Sequence, residues 1–338
     1  MTNLMKFTKS KTALGIYGAV SLFLVAVCSA LRCLSMLFFY DKEIGYYQSG
    51  AVLPTVLNVF LILSVVAPLL CCVINSLRVQ PRYIDASPSR FFAVLPAVAL
   101  GAFSVIHALG LKEQLEDIYL STEKLSLYAK LSPFLLLIAS LCGAAFFAMA
   151  MFNCSALVIP SVLTGIFTVF WFVMATADAY FDIYVQMNAP NKIIFMIGAL
   201  SATLLVINEM RRGLPKRKPY FHLLGATLTS IFTLTSAIPS LICYFTGNMP
   251  LNYTLAVYDI VLLCVGIYSL ARLITLCFGK DSPWPVIIEA EDDEQVEDEV
   301  SISEAEDDVD IADTQQTENL TPSASEPQGK VDGDKETE

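Results

Sequence analysis

The stretch LSPFLLLIASLCGAAFFAMAMFNCSALVIPSVLTGIFTVFWFVMATA, residues 131–177, decides the fold class. It is 47 residues long and almost continuously apolar. A helix crosses a bilayer with ~20 predominantly apolar residues, so the stretch is too long for one crossing. Asn153, Cys154 and Ser155 offer a turn near its middle. The reading is therefore two adjacent spans, 131–152 and 155–177.

Six further segments have the same character: 12–39, 51–77, 90–111, 191–210, 220–246 and 251–278. The fold class expected is all-α, a polytopic membrane helix bundle of about eight spans over residues 12–280. Prolines at 54, 68, 96, 160 and 239 fall inside the segments, where membrane helices tolerate them as kinks. The N-terminal run follows Lys6, Lys9 and Lys11 like a signal peptide. It continues to about Phe39, beyond the 7–15 residues of a signal core, and reads as an uncleaved first span.

Composition agrees. Apolar residues make up 55% of the 338, charged residues only 16%, and the mean hydropathy is +0.61. Soluble domains carry about 25% charged residues, which argues against a soluble enzyme. Charge is also segregated. Residues 289–338 hold 20 of the 32 acidic and 2 of the 21 basic side chains, a net of −18, so the rest of the chain is net +7. Residues 281–338 therefore read as a disordered acidic tail, too charged and too poor in apolar groups to fold. Such a tail is unsuited to nucleic acid, whose phosphates need Lys and Arg. It suits basic protein segments, including 211–218.

Basic residues orient the bundle. With residues 1–11 inside, the inner segments hold Lys6, Lys9, Lys11, Arg78, Arg82, Arg90, Arg211, Arg212, Lys216, Arg217, Lys218 and Lys280. The outer loops hold Lys42, Lys112, Lys124, Lys130 and Lys192. Twelve against five, with an even number of spans, places both ends in the cytoplasm and the bundle in the cell membrane. Ten of the fourteen tyrosines lie at or near the outer side.

The chemistry-bearing motifs are few. No GxGxxG, Walker loop, GxSxG or HExxH is present, and the nine cysteines form no CxxC. Two histidines, His107 and His222, sit on different segments. No catalytic, metal or cofactor site is implied, and the cysteines read as small buried apolar groups.

Charges inside spans are costly and often functional. Arg32 and Asp259 each lie about two turns from the outer end of their span, at matching depth, and form a candidate intramembrane ion pair. Asn58, Asn75 and His107 are expected to hydrogen bond between helices. Arg272, six residues from an inner end, is expected to snorkel, and Glu209 to pair locally with Arg211 and Arg212.

Outer loops combine carboxylates with aromatics. Asp41, Tyr46 and Tyr47 lie in the first, and Asp178, Tyr180, Asp182 and Tyr184 close the fifth span. Aromatic groups with carboxylates suit a cationic ligand; an interfacial aromatic belt explains the same residues. Glu113, Glu116, Asp117, Tyr119 and Glu123 suggest a surface amphipathic helix. The first loop, with Asp41 before Gly45-Tyr46-Tyr47 and then Gly50, resembles segments of uncharacterised polytopic membrane proteins of clostridia-type bacteria. The resemblance covers about a dozen residues; it implies a bacterial source and no activity.

Val73-Ile74-Asn75-Ser76-Leu77-Arg78 echoes Val206-Ile207-Asn208-Glu209-Met210-Arg211, and weaker matches follow in the same order. A 4+4 parallel repeat, 12–152 against 155–278, would give such matches; so would chance alignment of apolar sequence. Two functions stay open: binding or transporting a small solute, or an interaction or sensory role acting through the tail. Only a transporter requires a polar cavity at the midplane lined by both halves.

Overall fold

The computed structural model describes residues 2–41, 45–76, 87–120, 127–152, 158–181, 188–211, 219–247 and 253–279. The tail and the turn at 153–155 lie outside them. Eight long helices are present among the described residues: α1 (Thr2–Phe38), α2 (Val52–Ser76), α4 (Val94–Leu120), α5 (Leu127–Met151), α6 (Val158–Phe181), α7 (Pro190–Met210), α8 (Pro219–Phe245) and α9 (Tyr253–Phe278). A single turn, α3 (Ser87–Arg90), and a 3-10 turn (Phe91–Ala93) lead into α4. All eight long helices are long and apolar enough to cross a membrane. The chain is an all-α polytopic membrane protein, and the 131–177 stretch divides between α5 and α6 as its length requires.

Two helices run past their apolar segments. α1 starts at Thr2, well before its apolar run. α4 continues through Lys112 and Glu116 to Leu120, where a separate surface helix was expected. No proline or glycine interrupts residues 111–120. Lys112 and Glu116 also form an exposed i,i+4 pair at 3.7 Å, so the helix has no reason to stop. Pro54, Pro96 and Pro160 fall in first turns, where the missing N–H costs nothing. Pro68, Pro133 and Pro239 lie inside helices.

The end of α1 turns into a two-residue antiparallel hairpin, β1 (Tyr40–Asp41) and β2 (Tyr46–Tyr47), pairing Tyr40 with Tyr47 and Asp41 with Tyr46. Gly45 closes it at φ 76°, a conformation an L side chain resists. The hairpin marks one side of the bundle. The start of α1 and the end of α9 lie on the other.

α8 is the hub, packed against α1, α2, α7 and α9. It is the least apolar of the eight spans and the most buried. That inversion is what a bilayer imposes: polar helix faces turn inward and apolar ones outward. Seven buried hydroxyl residues line α8: Thr227, Thr229, Ser230, Thr233, Thr235, Ser236 and Ser240. Most bond back to its carbonyls, as Thr227 does to Leu223 O at 2.9 Å and Ser240 to Ser236 O at 2.9 Å. Thr229 instead donates across to Ser201 O on α7 at 2.7 Å. α1 meets α9 closely at Gly18, where a Cβ would fall 2.6 Å from the Cys277 Cβ. Outward-facing Ile16, Phe23, Ile62, Leu109 and Ile159 present an apolar surface to lipid.

The second half of the core is aromatic. Phe103, Trp171 and Tyr258 meet at centroid distances of 5.4–5.6 Å, and Phe147 stands edge-on to Tyr268 at 5.6 Å. Neighbour relations differ between the two sequence halves: α7 packs extensively on α8, whereas α2 packs on α1 and α8 and has no comparable contact with α4. A duplicated ancestor would have to have lost that contact in one half.

Candidate functional site

Three polar constellations stand out. The first surrounds Arg32, fully buried on α1. Pro239 on α8 has no N–H, so the carbonyl of Thr235, four residues back, has no helical donor. Arg32 Nη1 donates to that carbonyl at 2.7 Å, and Nη2 donates to Asn191 Oδ1 on α7 at 3.1 Å. Arg32 Nε has no partner. Asp259, 4% exposed on α9, lies within electrostatic reach of Arg32, yet no N···O distance between them falls within 4 Å. Asp259 Oδ1 also has no partner. The structure thus brings the two candidate residues into one region and keeps them apart by more than an ion-pair distance.

Tyrosines close the region. Tyr40 and Tyr47 of the hairpin stack edge-to-face at 5.9 Å. Tyr40 lies against Asn191, and Tyr244 lies near both Arg32 and Asp259. The Tyr47 hydroxyl is beside the guanidinium without completing a hydrogen bond to it. Burial pushes both hairpin phenols above the ordinary tyrosine range, while the Arg32 charge pulls them down by less. Both therefore stay O–H at neutral pH. Ser29 Oγ, Thr235 Oγ1 and Ser236 Oγ, on the elements that carry Arg32 and its acceptor, are likewise buried and unpartnered. Asp41 and Tyr46 are the second cross-strand pair of the hairpin.

The second constellation is a cleft of about 310 Å³ on the hairpin side, lined by Phe103, His107, Pro133, Leu136, Asp178 and Tyr258 among others. Tyr258 donates to Asp178 Oδ2 at 2.9 Å. His107 Nε2 meets Pro133 O at 3.0 Å, the interhelical bond its place in the sequence predicts; the carbonyl accepts, so that nitrogen carries the proton. Tyr180 is 44% exposed and packs edge-on to Phe181. Asp182 and Tyr184 lie outside the described residues, as does the Asn75 side chain. Asn58 is exposed on the bundle surface, where an interhelical bond was expected.

The third constellation is one that sequence reasoning missed. Arg272 is fully buried and does not snorkel. Its Nε and Nη2 grip Glu209 Oε1 and Oε2 at 2.9 and 2.8 Å. Nη1 donates to Ser89 Oγ at 2.9 Å, and Nε is also 3.0 Å from Tyr268 Oη. His222 Nε2 lies 3.2 Å from Glu209 Oε1. Glu209 therefore turns into the bundle to Arg272, because a buried guanidinium needs a carboxylate more than exposed Arg211 does. The signal was present: Arg272 and Glu209 both lie near the end of their span on the same side.

Among the described residues no group of three or more His, Cys, Asp and Glu is placed to hold a metal. Cys28, Cys33, Cys71, Cys142, Cys243, Cys264 and Cys277 are free thiols. No protein-family model, curated protein or solved structure matches the chain.

Proposed function

We propose that this membrane protein binds a small polar solute, which enters from the hairpin side and is held at Arg32 and Asp259. One observation carries the reading: six buried polar atoms there, on Arg32, Asp259, Tyr47, Ser29, Thr235 and Ser236, have no hydrogen-bond partner. Each such atom costs on the order of 1–3 kcal/mol, a cost that a purely structural bundle has no need to keep. The hairpin side faces out of the cell and both termini face the cytoplasm, as the basic residues argue. The resemblance of the first loop supports reading that membrane as a bacterial one.

Transfer across the membrane is the second reading, favoured by the hydroxyl residues of α8. They continue from Thr235 through Thr233 and Ser230 to Thr227, whose Oγ1 meets Tyr17 Oη at 2.8 Å. The back-bonds of Thr233, Ser230 and Thr227 close that route here, so transfer requires α8 or its neighbours to shift.

The test is cysteine accessibility. A small impermeant methanethiosulfonate applied to intact cells should label Ser49→Cys, Asn188→Cys and Ser236→Cys above the unsubstituted background, and should not label Ser301→Cys. Labelling of Ser301→Cys from outside would reverse the topology. Full resistance of Ser236→Cys from both sides would reduce the cluster to packing.

A further inference from the structure

Several features carry nothing further. The Arg272–Glu209 pair is saturated, the cleft at Asp178 is mostly apolar, and the thiols carry no second observation that points to a ligand. The Arg32 region supports a statement about ligand chemistry, and that statement rests on the solute-binding reading above.

Arg32 is a permanent cation, since a guanidinium does not lose its proton in proteins. It spends two nitrogens on neutral oxygens and none on a carboxylate. The nitrogen left without any partner is Nε, and the acceptor left over is Oδ1 of Asp259 on another helix. An ionised Asp259 would gain by closing to contact with the guanidinium, but the Thr235 carbonyl and Asn191 hold the guanidinium where it is. A simple anion would satisfy Nε and face the Asp259 carboxylate. A simple cation would satisfy Oδ1 and face the guanidinium. A neutral polyol would satisfy both hydrogen bonds without compensating either charge. A molecule with an anionic end and a hydrogen-donating cationic end compensates both at once. The hydroxyl of Tyr47, beside the guanidinium, and that of Thr235, whose carbonyl Arg32 holds, can donate or accept, so they fit either end.

We infer that the ligand of this site is a small zwitterion of the amino-acid type, its carboxylate at Arg32 and its ammonium at Asp259. Arg32 and Asp259 would then set which classes of solute are accepted, and the hairpin tyrosines would cover the bound molecule.

The experiment measures thermal stabilisation of the purified full chain in lipid nanodiscs. The probes are the standard amino acids and, for each that binds, the matching deaminated acid and decarboxylated amine. At least one amino acid should stabilise the protein, with its acid and its amine each binding at least ~tenfold more weakly, about 1.4 kcal/mol. Asp259→Asn should shrink the gap between amino acid and acid, and Arg32→Gln the gap between amino acid and amine. The wild-type comparison stands even where a variant does not fold. An acid or an amine that binds as tightly as its amino acid overturns the zwitterion and leaves the site. The zwitterion also falls, and the site again stands, if no probe binds while Ser236→Cys is labelled from outside. No binding together with no labelling overturns both.

Discussion

Arg272→Leu is the most revealing single substitution. It removes a bidentate pair with both bonds under 3 Å, a bond to Ser89 and one to Tyr268, and leaves Glu209, 5% exposed, without its main partner. At a charge separation of ~4 Å and an effective dielectric of ~20, the lost attraction is about 4 kcal/mol. Stranding one member of a buried pair costs a measured ~3–5 kcal/mol, which agrees. An ordinary hydrogen bond between membrane helices is worth about 0.6 kcal/mol and at most ~1.7. A pairwise coupling above ~2 kcal/mol therefore identifies the ion pair rather than its accessory bonds. The assay is reversible unfolding in mixed micelles of wild type, Arg272→Leu, Glu209→Leu and the double variant. Each single substitution should cost ~3–5 kcal/mol, and the double should cost less than either, because two leucines leave no stranded charge. A coupling below ~1 kcal/mol would refute the assignment.

Two shorter predictions follow. Gly18→Ala should destabilise by ~1–3 kcal/mol, since its Cβ would meet the Cys277 Cβ at 2.6 Å, whereas Gly101→Ala, with its nearest neighbour at 4.0 Å, should be tolerated; thermal midpoints measured side by side decide this. In spectrophotometric titration, Tyr40 and Tyr47 should ionise above the ordinary tyrosine value of ~10, their signals identified by difference against Tyr40→Phe and Tyr47→Phe. Both are raised acids. The folded state therefore holds the proton more tightly, and their contribution to stability falls as pH rises past the ordinary value. Ionisation at or below that value would show that the hairpin stands away from the bundle.

Much of the fold was legible because a bilayer demands it. Length and hydropathy alone divide residues 131–177 into α5 and α6 and place eight spans. Arg32 and Asp259 were legible as charges at one depth, because depth is a matter of counting residues. What counting does not give is azimuth. Nothing in the sequence says that α8 is the hub except its hydroxyls, and these read equally well as a weak span. Asn58 points outward and Glu209 inward for the same reason: rotation about a helix axis is set by packing partners far away in sequence. The tyrosines of the first loop suggested a cage for a cation, and two of them, Tyr40 and Tyr47, lie beside the chain's own Arg32.

The two buried arginines separate structure from function without reference to any relative. Both are 0% exposed, and both sit in helices that pack against α8. Arg272 meets a carboxylate with two nitrogens, a serine with the third, and the face of Tyr268 at 5.5 Å. That is how a bundle neutralises a charge it needs only for its shape. Arg32 is handled differently. Its acceptor at Thr235 exists because Pro239 removes a backbone donor from α8, and that carbonyl anchors the guanidinium without neutralising it. Asp259 lies in the same region, but its carboxyl is not within ion-pair distance of the guanidinium, and its Oδ1 has no partner. An arrangement that fixes a charge in place and leaves it uncancelled is preorganised for a ligand with the missing charge, because binding then costs little side-chain ordering. The two sides of the bundle thus hold a saturated charge and an unsaturated one, and the unsaturated one lies on the side of the tyrosine hairpin.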